Sequence, residues 1–188
     1  MRHSLHPLRI LSALPILAAL LGAATPASAK VYTAKKGEST ISYHMVHKLH
    51  EFTGVSRDFT CMVDLPADTL RARVYVKAPV VSFNSGNSSR DGNMLTFTEA
   101  AKYPNVEFVS DSVRPENGAW RISGRLTFHG VRRPITFIAK PEIGGGHVRI
   151  RGTFTALLSE FKVERPRLFL VPVSDTLAIS IDAVADAP

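Results

Sequence analysis

Between Ser39 and Ala183, apolar residues recur at every second position in one run after another, which is the period of a half-buried β-strand. Ile41, Tyr43, Met45 and His47 share one face, opposite Ser42 and His44. Phe59, Cys61, Val63 and Leu65 make the next face, and Ala72, Val74, Val76, Ala78 and Val80 a third. Val106 and Phe108 begin a strand that ends at Pro115-Glu116-Asn117-Gly118, whose proline and Asn-Gly pair suit a tight turn. Trp120, Ile122, Gly124, Leu126 and Phe128 then form the clearest apolar face of all. His129 to Pro134 turns the chain, and Ile135, Phe137, Ala139, Pro141 and Ile143 run back. After Gly144-Gly145-Gly146 come Val148, Ile150, Gly152 and Phe154, and Leu177, Ile179, Ile181 and Ala183 close the series.

These runs predict about eight strands, and connections too short for parallel crossovers make them antiparallel. Such a sheet can lose its exposed edges by closing into a barrel, and the alternative is a two-sheet sandwich. Alternation alone serves both. The pattern breaks once, from Ser82 to Pro104, where small polar residues replace it. Ser88 with Asp91, and Thr96 with Glu99, read as two capping boxes, so a short helical insertion is expected near residues 88–102. Tyr103-Pro104 ends it, because proline disfavours the helical region in the residue before it.

The first 29 residues read as an address. Met1 to Ala29 has Arg2 and Arg9 in a basic end, an apolar run from Ile10 to Ala24, and Ala27-Ser28-Ala29 before Lys30, the layout of a cleaved secretory signal. Pro15 interrupts the run, which is shorter than the roughly 20 apolar residues of a membrane span. The expectation is a periplasmic or secreted protein whose one domain covers 30–188, a length sufficient for a core without disulfides. The net charge is +7, of which Arg2 and Arg9 contribute two, leaving +5 on the mature chain. The basic residues are spread over odd-numbered positions of the strands: Arg71, Arg73, Lys77, Arg121, Arg125, Arg149 and Arg151. That spacing describes a solvated strand face; no nucleic acid is expected as a partner, whereas transient contact with an anionic membrane fits the basic balance. Cys61, the only cysteine, alternates with apolar neighbours and reads as a packed thiol.

Candidate chemistry is sparse. His44-x-x-His47-x-x-His50 suggests a metal or haem site, since imidazole is a common transition-metal ligand. On a strand, however, His47 points away from His44 and His50. Ser85, Ser88 and Asp91 are present without a Gly-x-Ser-x-Gly elbow or a base at a recognisable spacing, so no enzyme is expected. Arg90 and Asp91 read as a structural pair that pins a loop.

Several blocks taken together carry a resemblance. Tyr43-x-Met45-x-His47 with Gly54, Asn84-Ser85-Gly86-Asn87-x-x-Arg90-Asp91-x-x-Met94, Tyr103-Pro104-x-Val106-x-Phe108, and Gly124-x-Leu126-Thr127-Phe128-His129-Gly130-Val131-x-x-Pro134 resemble the YceI-like family of exported bacterial proteins. The blocks run in the family's order from Ser39 to about Leu177. The resemblance implies an eight-stranded antiparallel lipocalin-like barrel that binds an isoprenoid lipid, such as a quinone or polyprenyl chain, for transport or storage. It implies no cofactor beyond that ligand, and a homodimer is compatible with it. One departure stands near the end, where Leu158 to Pro166 replaces the family's Arg followed by Asp-Phe-Gly.

If the barrel is hollow, its inward faces become a ligand lining. From the strands these are Ile41, Tyr43, Met45 and His47; Val74, Val76 and Ala78; Trp120, Ile122, Leu126 and Phe128; and Phe137, Ile150 and Phe154. The insertion adds Met94, Leu95 and Phe97. Isoprene carries five carbons per unit, and at about 0.3 kcal/mol per heavy atom a chain of several units binds tightly through apolar contact alone.

Overall fold

The computed structural model describes residues 30–66, 71–168 and 170–186; the predicted leader, Met1 to Ala29, lies outside them. The strands are β1 (Lys30–Ala34), β2 (Thr40–His47), β3 (His50–Ser56), β4 (Thr60–Leu65) and β5 (Arg73–Pro79). After the helix α1 (Ser88–Phe97) come β6 (Asn105–Glu116), β7 (Ala119–Phe128), β8 (Val131–Gly144) and β9 (His147–Leu157). A two-residue pair, β10 (Arg167–Leu168) and β11 (Val171–Pro172), precedes the last long strand, β12 (Thr176–Asp186).

All pairings are antiparallel, and β1-β4-β5-β6-β7-β8-β9-β12 forms a ring that closes where β1 meets β12. The protein is therefore the expected eight-stranded barrel. One feature of its wall went unread in the sequence. β12 gives one whole edge to β9 and divides the other, with Leu177–Asp182 pairing to β2 and Ala185–Asp186 to β1. The β2–β3 hairpin thus forms the wall at one end of the barrel, while β1 and β4 form it at the other. A single bridge joins β3 to the chain beyond β5, with two backbone bonds of 2.9 and 3.0 Å between Val55 and Asn84.

The strand periodicity is realised residue by residue. Tyr43, Met45 and His47 are buried while Val46 between them is exposed, and Cys61 and Val63 alternate with exposed Thr60 and Met62. The outward cations meet acidic neighbours along the barrel surface: Lys77 with Glu107, Arg121 with Glu116, Arg125 with Asp111, Arg149 with Asp182, and Arg151 with Glu142. Such exposed pairs contribute about 0–1 kcal/mol each. Their function is to keep the outer wall wet.

Three glycines are fixed by aromatic rings lying over them. A Cβ on Gly54 falls 2.3 Å from the Tyr43 ring, one on Gly124 falls 2.3 Å from the Val109 carbonyl and 2.6 Å from Phe108, and one on Gly130 falls 2.5 Å from Tyr103. Gly130 also has φ +72, which other residues adopt only with strain. Gly152 lies under the Phe137 ring, with 3.2 Å between that ring and a built Cβ.

The insertion is one helix, where two capping boxes were expected. Asn87 is the N-cap, its side chain accepting from the Arg90 N–H at 3.0 Å, and Ser88 is the first helical residue. Thr96 lies inside the helix and donates back to the Gly92 carbonyl; Glu99 follows its end with φ +45. The Ser/Thr-to-acid spacing was present, but Asp91 is committed to Ser85.

Two outcomes test this packing. Gly124→Ala is expected to destabilise by about 1–3 kcal/mol through overpacking, whereas Gly92→Ala, in open space on α1, should stabilise by about 0.5–1 kcal/mol; thermal unfolding of both variants measures the contrast. Cys61 is 1% exposed and burial pushes its thiol up to about 12. Raising the pH to about 9, near the ordinary thiol value, should therefore speed labelling of unfolded protein and leave the native thiol unlabelled.

Candidate functional site

The barrel is solid at one end and hollow at the other. Around β1 and β4 the interior is filled by Tyr32, Val63, Val113, Trp120, Ile122 and Val148, all buried in one apolar cluster. Around the β2–β3 hairpin it opens into a cavity of about 440 Å³. Phe108, Phe137 and Phe154 line its inner limit, with centroid separations of 5.6 Å and 5.3 Å along the row. This volume lies within the roughly 300–1,000 Å³ typical of sites that enclose most of a drug-sized ligand.

Most of the predicted lining lies on this cavity. Ile41, Tyr43, Met45 and His47 reach it from β2, Val76 and Ala78 from β5, and Leu126 and Phe128 from β7. Phe137, Phe154, Met94 and Phe97 complete the set. Five predicted residues do not belong to it. Val74, Trp120, Ile122 and Ile150 share the inward face but sit in the solid half, where β1 and β4 close the wall tightly. Leu95 lies on α1 next to Met94, yet the helical period of 3.6 turns it away while Met94 and Phe97, three apart, face inward. Gly152, whose inward parity matches the lining, is covered by the Phe137 ring.

Sequence reading missed the hairpin's second strand and the chain after β9. Phe52 of β3 lines the cavity, as do Phe83, Leu158, Val163 and Val173. Leu158 and Val163 come from the segment that departs from the family pattern, so that departure contributes wall to the cavity. Only Phe52 had a signal available, two positions from Gly54.

Polar residues cluster where the cavity opens. Its exposed lining residues, His50, Asn87, Ser89, Asn93 and Arg167, lie at the start of β3 beside the β2–β3 turn, on the cap and first turns of α1, and on β10, and these define the mouth. The seam there is tied by side chains. Arg90 donates from Nε to Ser85 Oγ and from Nη2 to the Ser85 carbonyl, both at 2.8 Å, while its guanidinium lies 4.4 Å above the Phe52 ring. Asp91 accepts from the Ser85 N–H at 3.1 Å and from its hydroxyl. Arg90 and Asp91 thus hold the loop after β5 against α1 and β3.

Two of the three histidines come together: the His47 and His50 rings, expected to point apart, lie 5.4 Å from each other where the two residues pair across the hairpin. His44 is on the outer face, bonded to Thr53 and Glu51. His47 is buried with both nitrogens engaged: Nδ1 accepts the Leu49 N–H at 3.2 Å, so Nε2 carries the proton and donates to the Val171 carbonyl at 3.1 Å. Among the described residues no group of three or more metal-binding side chains forms. Tyr43 is the polar exception in the wall. Its hydroxyl is buried without a hydrogen-bond partner, and burial, with a smaller contribution from Asp91, pushes its pKa up to about 12.

A family model described as the YceI-like domain matches residues 32–185. A UPF0312 protein of Pseudomonas savastanoi pv. phaseolicola is 28% identical over 183 residues, covering 91% of this chain and 93% of its own. One from Pseudomonas fluorescens is 28% identical over 187 residues, with 92% and 94% covered. Among solved structures, Burkholderia cenocepacia BcnA superposes with a TM-score of 0.75 at 21% identity, covering 81% of this chain and 99% of that one. A polyisoprenoid binding domain from Saccharophagus degradans, implicated in plant cell wall breakdown, gives 0.68 at 15% identity, covering 87% and 100%. At these identities the structures establish a shared fold.

Since a buried hydroxyl without a partner is unfavourable, Tyr43→Phe is expected to leave the ligand-free protein unchanged or more stable by up to about 1 kcal/mol. Denaturant unfolding checks this; a loss larger than that would mean the hydroxyl is bonded.

Proposed function

Because the chain belongs to the YceI-like family and its barrel encloses an apolar cavity with one mouth, we propose that it binds an isoprenoid or other long-chain lipid, of quinone or polyprenyl type, inside the barrel. The cavity carries the reading. Its walls are aliphatic and aromatic, its polar residues gather at the mouth, and its depth ends on a row of phenylalanines. That arrangement suits a long oily chain inserted tail first, with a polar head left near Arg90, Asn93 and the Tyr43 hydroxyl. About thirty carbons at about 0.3 kcal/mol each amount to about 9 kcal/mol, a submicromolar complex. The neighbour described as a polyisoprenoid binding domain supports the ligand class, and the family supports binding over catalysis.

The leader-like Met1 to Ala29 supports export, so the reading extends to a carrier or store of such a lipid in the periplasm. A metal- or haem-binding role for His44, His47 and His50 finds little support: His44 faces outward on Thr53 and Glu51, and His47, though beside His50, has both nitrogens already bonded.

Solvent extraction of the purified protein followed by mass spectrometry is expected to release a long-chain lipid. Ala78→Phe, which fills the cavity from β5, should reduce the recovered lipid at least tenfold while lowering the melting temperature little; parallel loss of lipid and fold would count against a ligand cavity there.

A further inference from the structure

The mouth of the cavity differs chemically from the rest of the surface. Leu170, Val81 and Leu49 are the most exposed large hydrophobics among the described residues, at 88%, 70% and 66%. Leu49 is in the β2–β3 turn and Leu170 is between β10 and β11, two of the three segments that frame the mouth, α1 being the third. His47 ties them together, since its ring bonds both the Leu49 N–H and the Val171 carbonyl. A further backbone bond, from Ser174 N–H to the Val46 carbonyl at 2.8 Å, secures the same junction, and Val46 is itself exposed. Leu170 has φ +68, a conformation glycine or asparagine adopts at less cost, so the turn geometry does not account for a leucine there.

The rim is also basic. On the barrel wall and around the solid end, Lys35, Lys36, Arg121, Arg149 and Arg151 each have an acidic partner, while Arg114 and Lys140 have none among the described residues. At the mouth Lys48 and Arg167 are exposed and have no ion pair among the described residues, while Arg165 bonds the Val173 carbonyl and interacts with the Asp175 carboxylate. The acidic residues nearby are Glu164, Glu51 and Asp175; Glu51 is engaged by His44 and Asp175 by Ser159. Protruding leucines flanked by unneutralised cations are complementary to an anionic lipid bilayer: the side chains enter the headgroup boundary and the cations meet phosphates.

We infer that the barrel docks on an anionic membrane surface through its mouth, with Leu49 and Leu170 inserted and Lys48 and Arg167 against lipid phosphates. Docking in this orientation sets the cavity opening against the bilayer, so a lipid passes between them without its chain crossing water. The inference rests on the proposed lipid-binding function for its purpose, and on the exposed rim for its geometry.

Flotation with vesicles tests it. The purified protein is expected to rise with vesicles containing phosphatidylglycerol and to stay behind with phosphatidylcholine alone or in high salt. Lys48→Glu and Arg167→Glu should each weaken partitioning by at least about fivefold, as expected for a basic residue beside an anionic surface. Leu49→Ser with Leu170→Ser should weaken it by at least about tenfold through lost apolar burial. Lys36→Glu, on another surface, should have no comparable effect, and unchanged melting of each variant confirms folding. Failure of the protein to float, equal loss in Lys36→Glu, or a dimer that dissociates in the leucine variant without any vesicle binding would each overturn the inference. Extraction and flotation are read separately: lipid recovered from protein that ignores vesicles refutes docking alone, and vesicle binding by protein that yields no lipid refutes the cargo alone.

Discussion

The hollow interior depends on aromatic rings being held against the wall. A β-barrel of eight strands is narrow enough for its own side chains to fill it. In this protein Tyr43 lies over Gly54, Phe108 over Gly124 and Phe137 over Gly152, each ring using the space a neighbouring strand leaves by having no Cβ. The rings still bury their area and contribute to stability, but they do so flat against backbone. Without those glycines the same rings would project across the lumen. The row from Phe108 through Phe137 to Phe154 then separates an interior of packed side chains from one that remains open.

That separation follows from how β12 shares its edge. Where β1 and β4 close the ring, residues such as Cys61, Val63, Val113 and Val148 are almost entirely inaccessible, and a continuous core forms. Where the β2–β3 hairpin takes over, the wall is joined on its far side by one bridge and a set of side-chain bonds. One half therefore supplies cohesion to a molecule whose other half leaves apolar surface unpaired. The division also places the looser seam, with α1 over it, at the end where a ligand would enter.

The polar insertion is built around Ser85. Its hydroxyl and backbone engage both Arg90 and Asp91, Asn84 bonds forward to the Gly86 N–H, and Asn87 caps the helix. Asn84, Ser85, Asn87, Arg90 and Asp91 thus each bond backbone or another side chain in the loop, and Arg90 extends the knot to β3 through Phe52. A similar economy holds at the β7–β8 turn, where Tyr103 packs on Gly130 and against His129, whose Nδ1 bonds the Phe161 carbonyl. The sequence blocks that carry the family resemblance are, in physical terms, mostly ring-on-glycine contacts and loop ties.

Alternation alone was enough to assign inward and outward faces to most long strands, because a period of two is imposed by the backbone itself. The burial of Cys61, the wetness of the arginine faces and the place of the helical interruption follow from it. β3 escaped because its inward positions, Phe52, Gly54 and Ser56, include two small residues, and the pattern weakens when a ring from the next strand does the filling. What only the tertiary structure decided is which inward residues line space and which fill it. Val74 and Val76 are two positions apart on one strand with the same side chain, and both are buried in the core, yet only Val76 borders the cavity. The difference lies in which hairpin stands across from them, and a pairing between distant segments leaves no trace in the local period of either one.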